Sequence, residues 1–284
     1  MKLVSFLTDG RLRAGILQGD QIYAFDELDS SLPTEMIHLL GMLPELKDRF
    51  GTLPADAAPV KEYVLQAPIP NPEKIICIGL NYADHAAESG AAIPEEPVVF
   101  NKFLTALRAD GENIELPPES DSVDYEAELV VVIGKEGKRI SEEHALDYVA
   151  GYTCGHDVSA RDWQKYKPQG QWLCGKSFDS FAPIGPALVT ADEIPDPHKL
   201  DIKFRLNGEE MQSSNTEQFI FNVNQLIAYL STVCTLRPGD LLFTGTPPGV
   251  GAARKPPVFL KPGDTAEVEI AGIGVLTNPV VAGN

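Results

Sequence analysis

The segment Asp124-Tyr125-Glu126-Ala127-Glu128-Leu129-Val130-Val131-Val132-Ile133-Gly134 sets two carboxylates at the mouth of an apolar, β-branched run. Such a run reads as a strand, and its side-chain period of two puts Glu126 and Glu128 on one face, about 7 Å apart. Two like charges that close repel unless something positive lies between them. The bland alternative is a solvated strand end. A third carboxylate, Asp157, stands in the polar stretch Gly155-His156-Asp157-Val158-Ser159-Ala160-Arg161-Asp162-Trp163-Gln164 and could close a three-oxygen site. All-carboxylate ligation with water in the open positions suits a hard divalent cation, Mg²⁺ or Mn²⁺, with Ca²⁺ as a further option. Zinc prefers Cys and His. Cys154 and His156 flank Asp157, yet no second Cys/His pair with ligand spacing supports zinc.

In Asn81-Tyr82-Ala83-Asp84-His85-Ala86-Ala87-Glu88 a histidine and a glutamate stand three apart. On a helix they are neighbours, close enough for the carboxylate to hydrogen-bond one imidazole nitrogen. That bond fixes the tautomer and raises the basicity of the other nitrogen, as a general base requires. An exposed surface pair is the alternative. His38, His144 and His198 read as structural or solvated. Lys176 lies among aromatics, glycines and a cysteine in Gly170-Gln171-Trp172-Leu173-Cys174-Gly175-Lys176-Ser177-Phe178. It is either a snorkelling surface residue or a desolvated cation facing an anionic substrate. The loop Thr244-Gly245-Thr246-Pro247-Pro248-Gly249-Val250-Gly251 lacks the Gly-Lys-Ser/Thr ending of a phosphate loop, and its two prolines remove amide donors. It reads as a tight turn presenting the Thr246 hydroxyl.

These groups need elements to hold them. Lys74 to Ile78, Pro97 to Asn101, Glu128 to Ile133, Ala187 to Thr190, Asp201 to Leu206, Asp240 to Thr244 and Thr265 to Ile270 are strand-like, with Gly, Pro and Asp between them. Helices are predicted over Tyr82 to Ser89, ending before Gly90, over Glu142 to Tyr148, and over Asn222 to Thr232, where Val223, Leu226, Ile227 and Leu230 follow the helical period. Ahead of these, Leu3 to Leu7, Ala14 to Leu17 and Gln21 to Phe25 are short runs split by Asp9-Gly10 and Gly19-Asp20, which are hairpin signals. A short helix over Pro33 to Leu40, capped by Ser31, follows. Three prolines between Pro68 and Pro72 predict a stiff, extended linker, and so a small domain over 1–68 and a larger one over 69–284.

Composition narrows the class of function. With 23 Lys and Arg against 41 Asp and Glu among 284 residues, the net charge of −18 repels nucleic-acid phosphates. The 24 glycines and 23 prolines favour turns and short strands over a helical bundle. Four scattered cysteines, with no CxxC pair, form no disulfide framework and point to a reducing compartment, read as the cytoplasm. The opening apolar run is too short for a signal peptide, and no stretch is long and apolar enough for a membrane span.

Eight segments, in this order, resemble the fumarylacetoacetate hydrolase family, its acylpyruvate hydrolase-like branch: ICIGLNYADHAAE (76–88), VVFNKF (98–103), VDYEAELVVVIGKEGKRI (123–140), DYVAGYTCGHDVSARDWQ (147–164), GQWLCGKSFDSFAPIGP (170–186), PDPHKL (195–200), LNGEEMQSSNT (206–216) and GDLLFTGTPPGVG (239–251). The resemblance implies an α+β, mostly β chain: a catalytic domain of mixed sheets in a roll or distorted sandwich, behind a small N-terminal α+β domain, usually as a homodimer. It implies Glu126, Glu128 and Asp157 as ligands of Mg²⁺ or Mn²⁺, and His85 and Glu88 as the catalytic pair. The family's lysine falls on Lys176, its Arg and Gln on Arg161 and Gln164, and its threonine on Thr246.

On that footing the expected substrate is a small anionic keto acid, an acylpyruvate or related 2,4-diketo acid. Water activated by His85 and Glu88 would attack the distal carbonyl, and the cation with Lys176 would stabilise the enolate left when the C–C bond breaks. Arg161, Gln164, Thr246 and Lys102 would bind the substrate, and Lys102 would also help reverse the local field. Oxaloacetate decarboxylation or keto–enol tautomerisation on the same site is the alternative, since fold does not choose among them. A scaffold that had lost its chemistry would show gaps among the key positions, and none is present.

Overall fold

The Asp9-Gly10 pair takes positive φ at both residues (48° and 70°), as a two-residue hairpin turn requires. It joins β1 (Lys2–Thr8) to β2 (Arg11–Gln18), and a second turn leads to β3 (Gln21–Ala24). The computed structural model describes residues 1–283. The helix expected over Pro33 to Leu40 is shorter, Met36–Leu39, and Ser31 does not cap it. Ser31 instead gives both its backbone N–H and its hydroxyl to the Asp29 carboxylate. The proline-rich stretch is extended but not an exposed linker. Ala67 and Ile69 are buried, and the Ser5 hydroxyl donates to the Pro68 carbonyl at 2.8 Å.

After β4 (Val64–Gln66) come β5 (Ile75–Gly79), α1 (Ala83–Ser89), β6 (Val98–Asn101), β7 (Leu107–Arg108), β8 (Ile114–Leu116) and β9 (Val123–Asp124). The central strands are β10 (Ala127–Ile133) and β11 (Val149–His156), then β12 (Ser159–Ala160), the short helix α2 (Trp172–Lys176) and β13 (Ala182–Thr190). The chain closes with β14 (Asp201–Leu206), β15 (Glu209–Asn215), α3 (Val223–Val233), β16 (Leu241–Phe243), β17 (Thr265–Ile270) and β18 (Gly274–Ala282). Asn222 and Gln225 form a reciprocal capping box at the start of α3. Glu142–Tyr148 winds as a 3₁₀ helix.

The fold is α+β and mostly β. One mixed sheet runs β3-β2-β1-β13-β11-β10-β16-β5-β6, and a second runs β15-β14-β17-β18-β8. They meet where β13 lies on β18 and β10 on β14 and β17. Covered in this way, β10 is buried at all seven positions, which is why its apolar run is continuous rather than alternating. β1 pairs with β13, Leu3 opposite Leu188, so the N-terminal strands extend the main sheet across the division proposed at residue 68.

Strand direction gathers the chemistry at one end of that sheet. β16 and β5 are parallel, so both finish at the same edge. β10 is antiparallel to β16 and therefore starts there, and β11, antiparallel to β10, ends there. The residues just beyond those four ends are Glu126 before β10, Asp157 after β11, the Thr244–Gly251 loop after β16, and α1 after β5.

Candidate active site

Glu126, Glu128 and Asp157 are all buried, and each offers a carboxylate oxygen within 4.8 Å of the others. A solvated strand end is thereby excluded. The positive charge demanded by the E-x-E pair is present. The Lys176 ammonium, 2% exposed, donates to Glu126 Oε2 at 2.7 Å and to Asp157 Oδ2 at 2.8 Å. Arg161 Nη2 donates to Glu126 Oε1 at 2.6 Å. Among the described residues Glu128 Oε2 accepts only from the Gly245 backbone N–H, at 2.8 Å.

Lys102 is fully enclosed. Its ammonium donates to the carbonyls of Val158 (3.1 Å), Phe181 (2.7 Å) and Lys176. With those directions taken, Asp157 Oδ1 lies 2.7 Å from the same nitrogen as an ion pair, yet no N–H is directed at it among the described residues. A buried carboxylate oxygen without a donor is costly unless a cation takes its lone pair. Burial pushes the Glu128 carboxyl well above the usual range, and Asp157 and Glu126 push it further. Burial also raises Glu126, but Lys176 and Arg161 outweigh it and hold that carboxyl low. Counting Asp124, four carboxylates face the three cations Arg161, Lys102 and Lys176, one negative charge in excess when all are ionised. The residues fit a hard divalent cation: hard oxygen donors, one of them with no N–H directed at it among the described residues, and a charge excess that a dication would invert. No Cys or His belongs to a three-ligand group among the described residues. The alternative of zinc therefore finds no support. His156 is buried, its Nε2 without a hydrogen-bond partner among the described residues, and burial aided by Lys102 lowers its pKa to about 3.

Sequence reasoning passed over the residue that holds Arg161. Asp124, wholly buried, accepts from Arg161 Nε (2.8 Å) and from the backbone N–H groups of Tyr125 (2.8 Å), Gly251 (2.7 Å) and Ala252 (3.0 Å). The signal was present, since Asp124, Glu126 and Glu128 are successive alternate residues. Arg161 Nη1 donates to Gln164 Oε1 at 2.9 Å, which leaves the Gln164 amide nitrogen without a hydrogen bond among the described residues. Gln212 was also missed. It receives the Ala127 N–H at 2.9 Å and donates to Thr246 Oγ1 (2.9 Å) and the Pro247 carbonyl (2.8 Å). The Thr246 hydroxyl proton goes to the Ala127 carbonyl at 2.9 Å. Lys102 and Thr246, both given to the substrate by the sequence reading, are thus turned toward the protein.

The predicted helix forms as α1, and it ends on Gly90 in the left-handed region (φ 63°). His85 Nδ1 lies 3.1 Å from Glu88 Oε2. Both Glu88 oxygens accept from the Gly249 N–H, at 3.0 and 3.2 Å. Asn81, before the helix, donates to the Thr244 carbonyl at 2.8 Å, and a Cβ on Gly245 would meet Asn81 Cβ at 2.7 Å. One loop, 244–251, therefore supports Glu128 through Gly245, Asp124 through Gly251 and Glu88 through Gly249. The arrangement combines an acidic cation cradle with an imidazole–carboxylate pair suited to moving protons.

The family model described as the C-terminal part of fumarylacetoacetate hydrolase matches residues 74–281. A mitochondrial oxaloacetate tautomerase of Xenopus laevis is 48% identical over 292 residues, covering 99% of this chain and 90% of that protein. A mitochondrial oxaloacetate tautomerase of Homo sapiens is 51% identical over 223 residues, 78% of this chain and 71% of that protein. Among solved structures, a maleylpyruvate hydrolase of Sphingobium in complex with manganese(II) and pyruvate superposes with a TM-score of 0.83 at 32% identity, covering 100% of both chains.

Proposed function

The chain belongs to the fumarylacetoacetate hydrolase family, and on that premise we propose that it interconverts the keto and enol forms of oxaloacetate. The observation that carries this reading is the likeness to oxaloacetate tautomerases along 99% of the chain. The sequence reading put C–C hydrolysis first. Its alternative, tautomerisation, has the better support, and the dyad's proton chemistry serves it without an attacking water. Likeness to a maleylpyruvate hydrolase keeps acylpyruvate cleavage as the second reading.

Tautomerisation moves one proton between C3 and the C2 oxygen and breaks no C–C bond. It needs a base at carbon and stabilisation of charge at oxygen. Glu126, Glu128 and Asp157 would hold a divalent cation, Mg²⁺ or Mn²⁺, whose Lewis acidity acidifies the C3 protons of a 2-oxo acid. In enolisation His85 takes the C3 proton at Nε2 and passes it to the C2 oxygen, and in ketonisation it carries the proton the other way, with its Nδ1–H fixed on Glu88. Lys176 supplies positive charge where the C2 oxygen gathers negative charge. Gln164, with its oxygen held by Arg161, turns its amide N–H toward a substrate oxygen. Lys102 and Thr246 act as positioning residues, of Asp157 and of the loop. A homodimer and a cytoplasmic location remain part of the proposal, beside relatives whose names place them in mitochondria.

The test follows decay of enol-oxaloacetate by its ultraviolet absorbance, with Mg²⁺ or with EDTA, alongside an acylpyruvate panel. The expected result is cation-dependent ketonisation that EDTA stops. His85→Ala should slow it by about 10²–10⁴-fold, the usual worth of a general base, while Mn²⁺ binding survives. Cleavage of acylpyruvates without tautomerisation would overturn the reading.

A further inference from the structure

We propose that Arg254 and Tyr125 form a clamp on Gly249 that positions Glu88, and through it His85, for proton transfer; the inference rests on the dyad role given above. Glu88 is one-third exposed, so packing does not fix its rotamer. Among the described residues its hydrogen bonds are the pair from the Gly249 N–H and the contact with His85. The position of that glycine therefore decides where the carboxylate sits.

Glycine is the residue least able to hold a position by itself. Here only glycine fits, because φ is +100° and a Cβ would come within 2.2 Å of the Met211 carbonyl oxygen. Its freedom is removed from outside. The Tyr125 hydroxyl donates to the Gly249 carbonyl at 3.3 Å, and Arg254 Nε donates both to that carbonyl (3.3 Å) and to the Tyr125 oxygen (3.1 Å). Arg254 Nη2 anchors the clamp on the Met211 carbonyl at 2.7 Å. Tyr125 is fixed in turn by stacking flat on Phe204, ring centroids 4.4 Å apart.

The use made of Arg254 is unusual for this chain. Of the five arginines that are not exposed, Arg13, Arg108, Arg161 and Arg205 all face carboxylates. Arg254 faces neutral oxygens only among the described residues, in a chain with 41 acidic side chains to choose from. A guanidinium's fixed fork suits the holding of two backbone carbonyls at set directions. Tyr125 also lies between Asp124 and Glu126, so the segment carrying the cation cradle carries the clamp, and the dyad is registered to the cradle.

The experiment is a double-mutant cycle on the full chain loaded with Mn²⁺, read as kcat and KM for enol-oxaloacetate. Arg254→Met should lower kcat about tenfold, the scale of a sub-ångström misplacement, with KM and Mn²⁺ affinity unchanged. In a Glu88→Gln background it should add less than about twofold, because the route runs through Glu88. Tyr125→Phe, which keeps the stack on Phe204, should give a smaller loss with the same non-additivity, and Arg254→Lys should recover part of the rate. Amide exchange at Gly249 supplies a readout independent of turnover, and it should accelerate in Arg254→Met. Multiplying effects in the cycle, or unchanged Gly249 exchange, would overturn the clamp. A native chain inert toward enol-oxaloacetate but with clamp-dependent Gly249 exchange would overturn the functional reading and leave the clamp standing.

Discussion

Asp124→Asn tests whether the cation cradle is held from behind. Asp124 is a buried side chain with four donors aimed at its carboxylate oxygens, three backbone N–H groups and Arg161 Nε. Whichever way the amide of asparagine turned, its nitrogen would face two of those donors. In one orientation they are the N–H groups of Tyr125 and Gly251, in the other Arg161 Nε and the Ala252 N–H. Removing one partner of a buried ion pair costs about 3–5 kcal/mol, because the other charge is left behind. With an unfolding entropy of about 2.1 cal/mol/K per residue, a chain this long loses roughly 5–8 °C of Tm for that cost. Arg161 would also be freed from its angle on Glu126, and loss of such a support typically weakens metal affinity about 10- to 100-fold. Differential scanning fluorimetry and Mn²⁺ titration by electron paramagnetic resonance read the two effects. A variant melting within about 2 °C of the native chain and binding Mn²⁺ equally well would refute the reasoning.

Lys102→Met separates positioning from substrate binding: burial lowers the Lys102 pKa against the pull of Asp157, and three carbonyls depend on the ammonium. The expected result is a Tm lower by several degrees together with weakened Mn²⁺ binding, at about 3–5 kcal/mol for a broken buried pair; a raised KM with native Tm would mean that the ammonium serves the substrate. Light scattering should give twice the mass of one chain, and the mass of a single chain would refute the homodimer.

Side chains whose role depends on near neighbours in sequence were legible, and those acting through distant backbone were not. Glu126 and Glu128 share a face because strands alternate, and His85 and Glu88 meet because helices turn every 3.6 residues; both follow from spacing alone. Asp157 joins them through the β10–β11 register, which places His156 opposite Ala127. Thr246 and Lys102 show the limit. Their residue types suit substrate contact, but the Ala127 carbonyl and Asp157 lie where the chain returns from far away. Asp124, Gln212 and Arg254 mainly bind N–H and C=O groups, which every residue carries, so no spacing rule marks them. The proline stretch near 68 was legible as extended, yet it is buried beside a strand some sixty residues earlier, whose Ser5 hydroxyl donates to the Pro68 carbonyl. The amphipathic helix Leu43–Phe50 went unread, and it buries Leu43, Leu46 and Phe50 in the core, Phe50 edge-on to Phe25.

The claim on which the rest depends is that Glu126, Glu128 and Asp157 hold one hard cation between them. Mn²⁺ titration of the native chain and of Glu128→Gln, read by electron paramagnetic resonance, tests it most directly. Glu128 is the informative choice, since among the described residues it accepts from Gly245 alone and its loss frees no buried lysine or arginine. The expected result is one tight Mn²⁺ per native chain and none in the folded variant; equal binding by both, or none by the native chain, would contradict a shared cation.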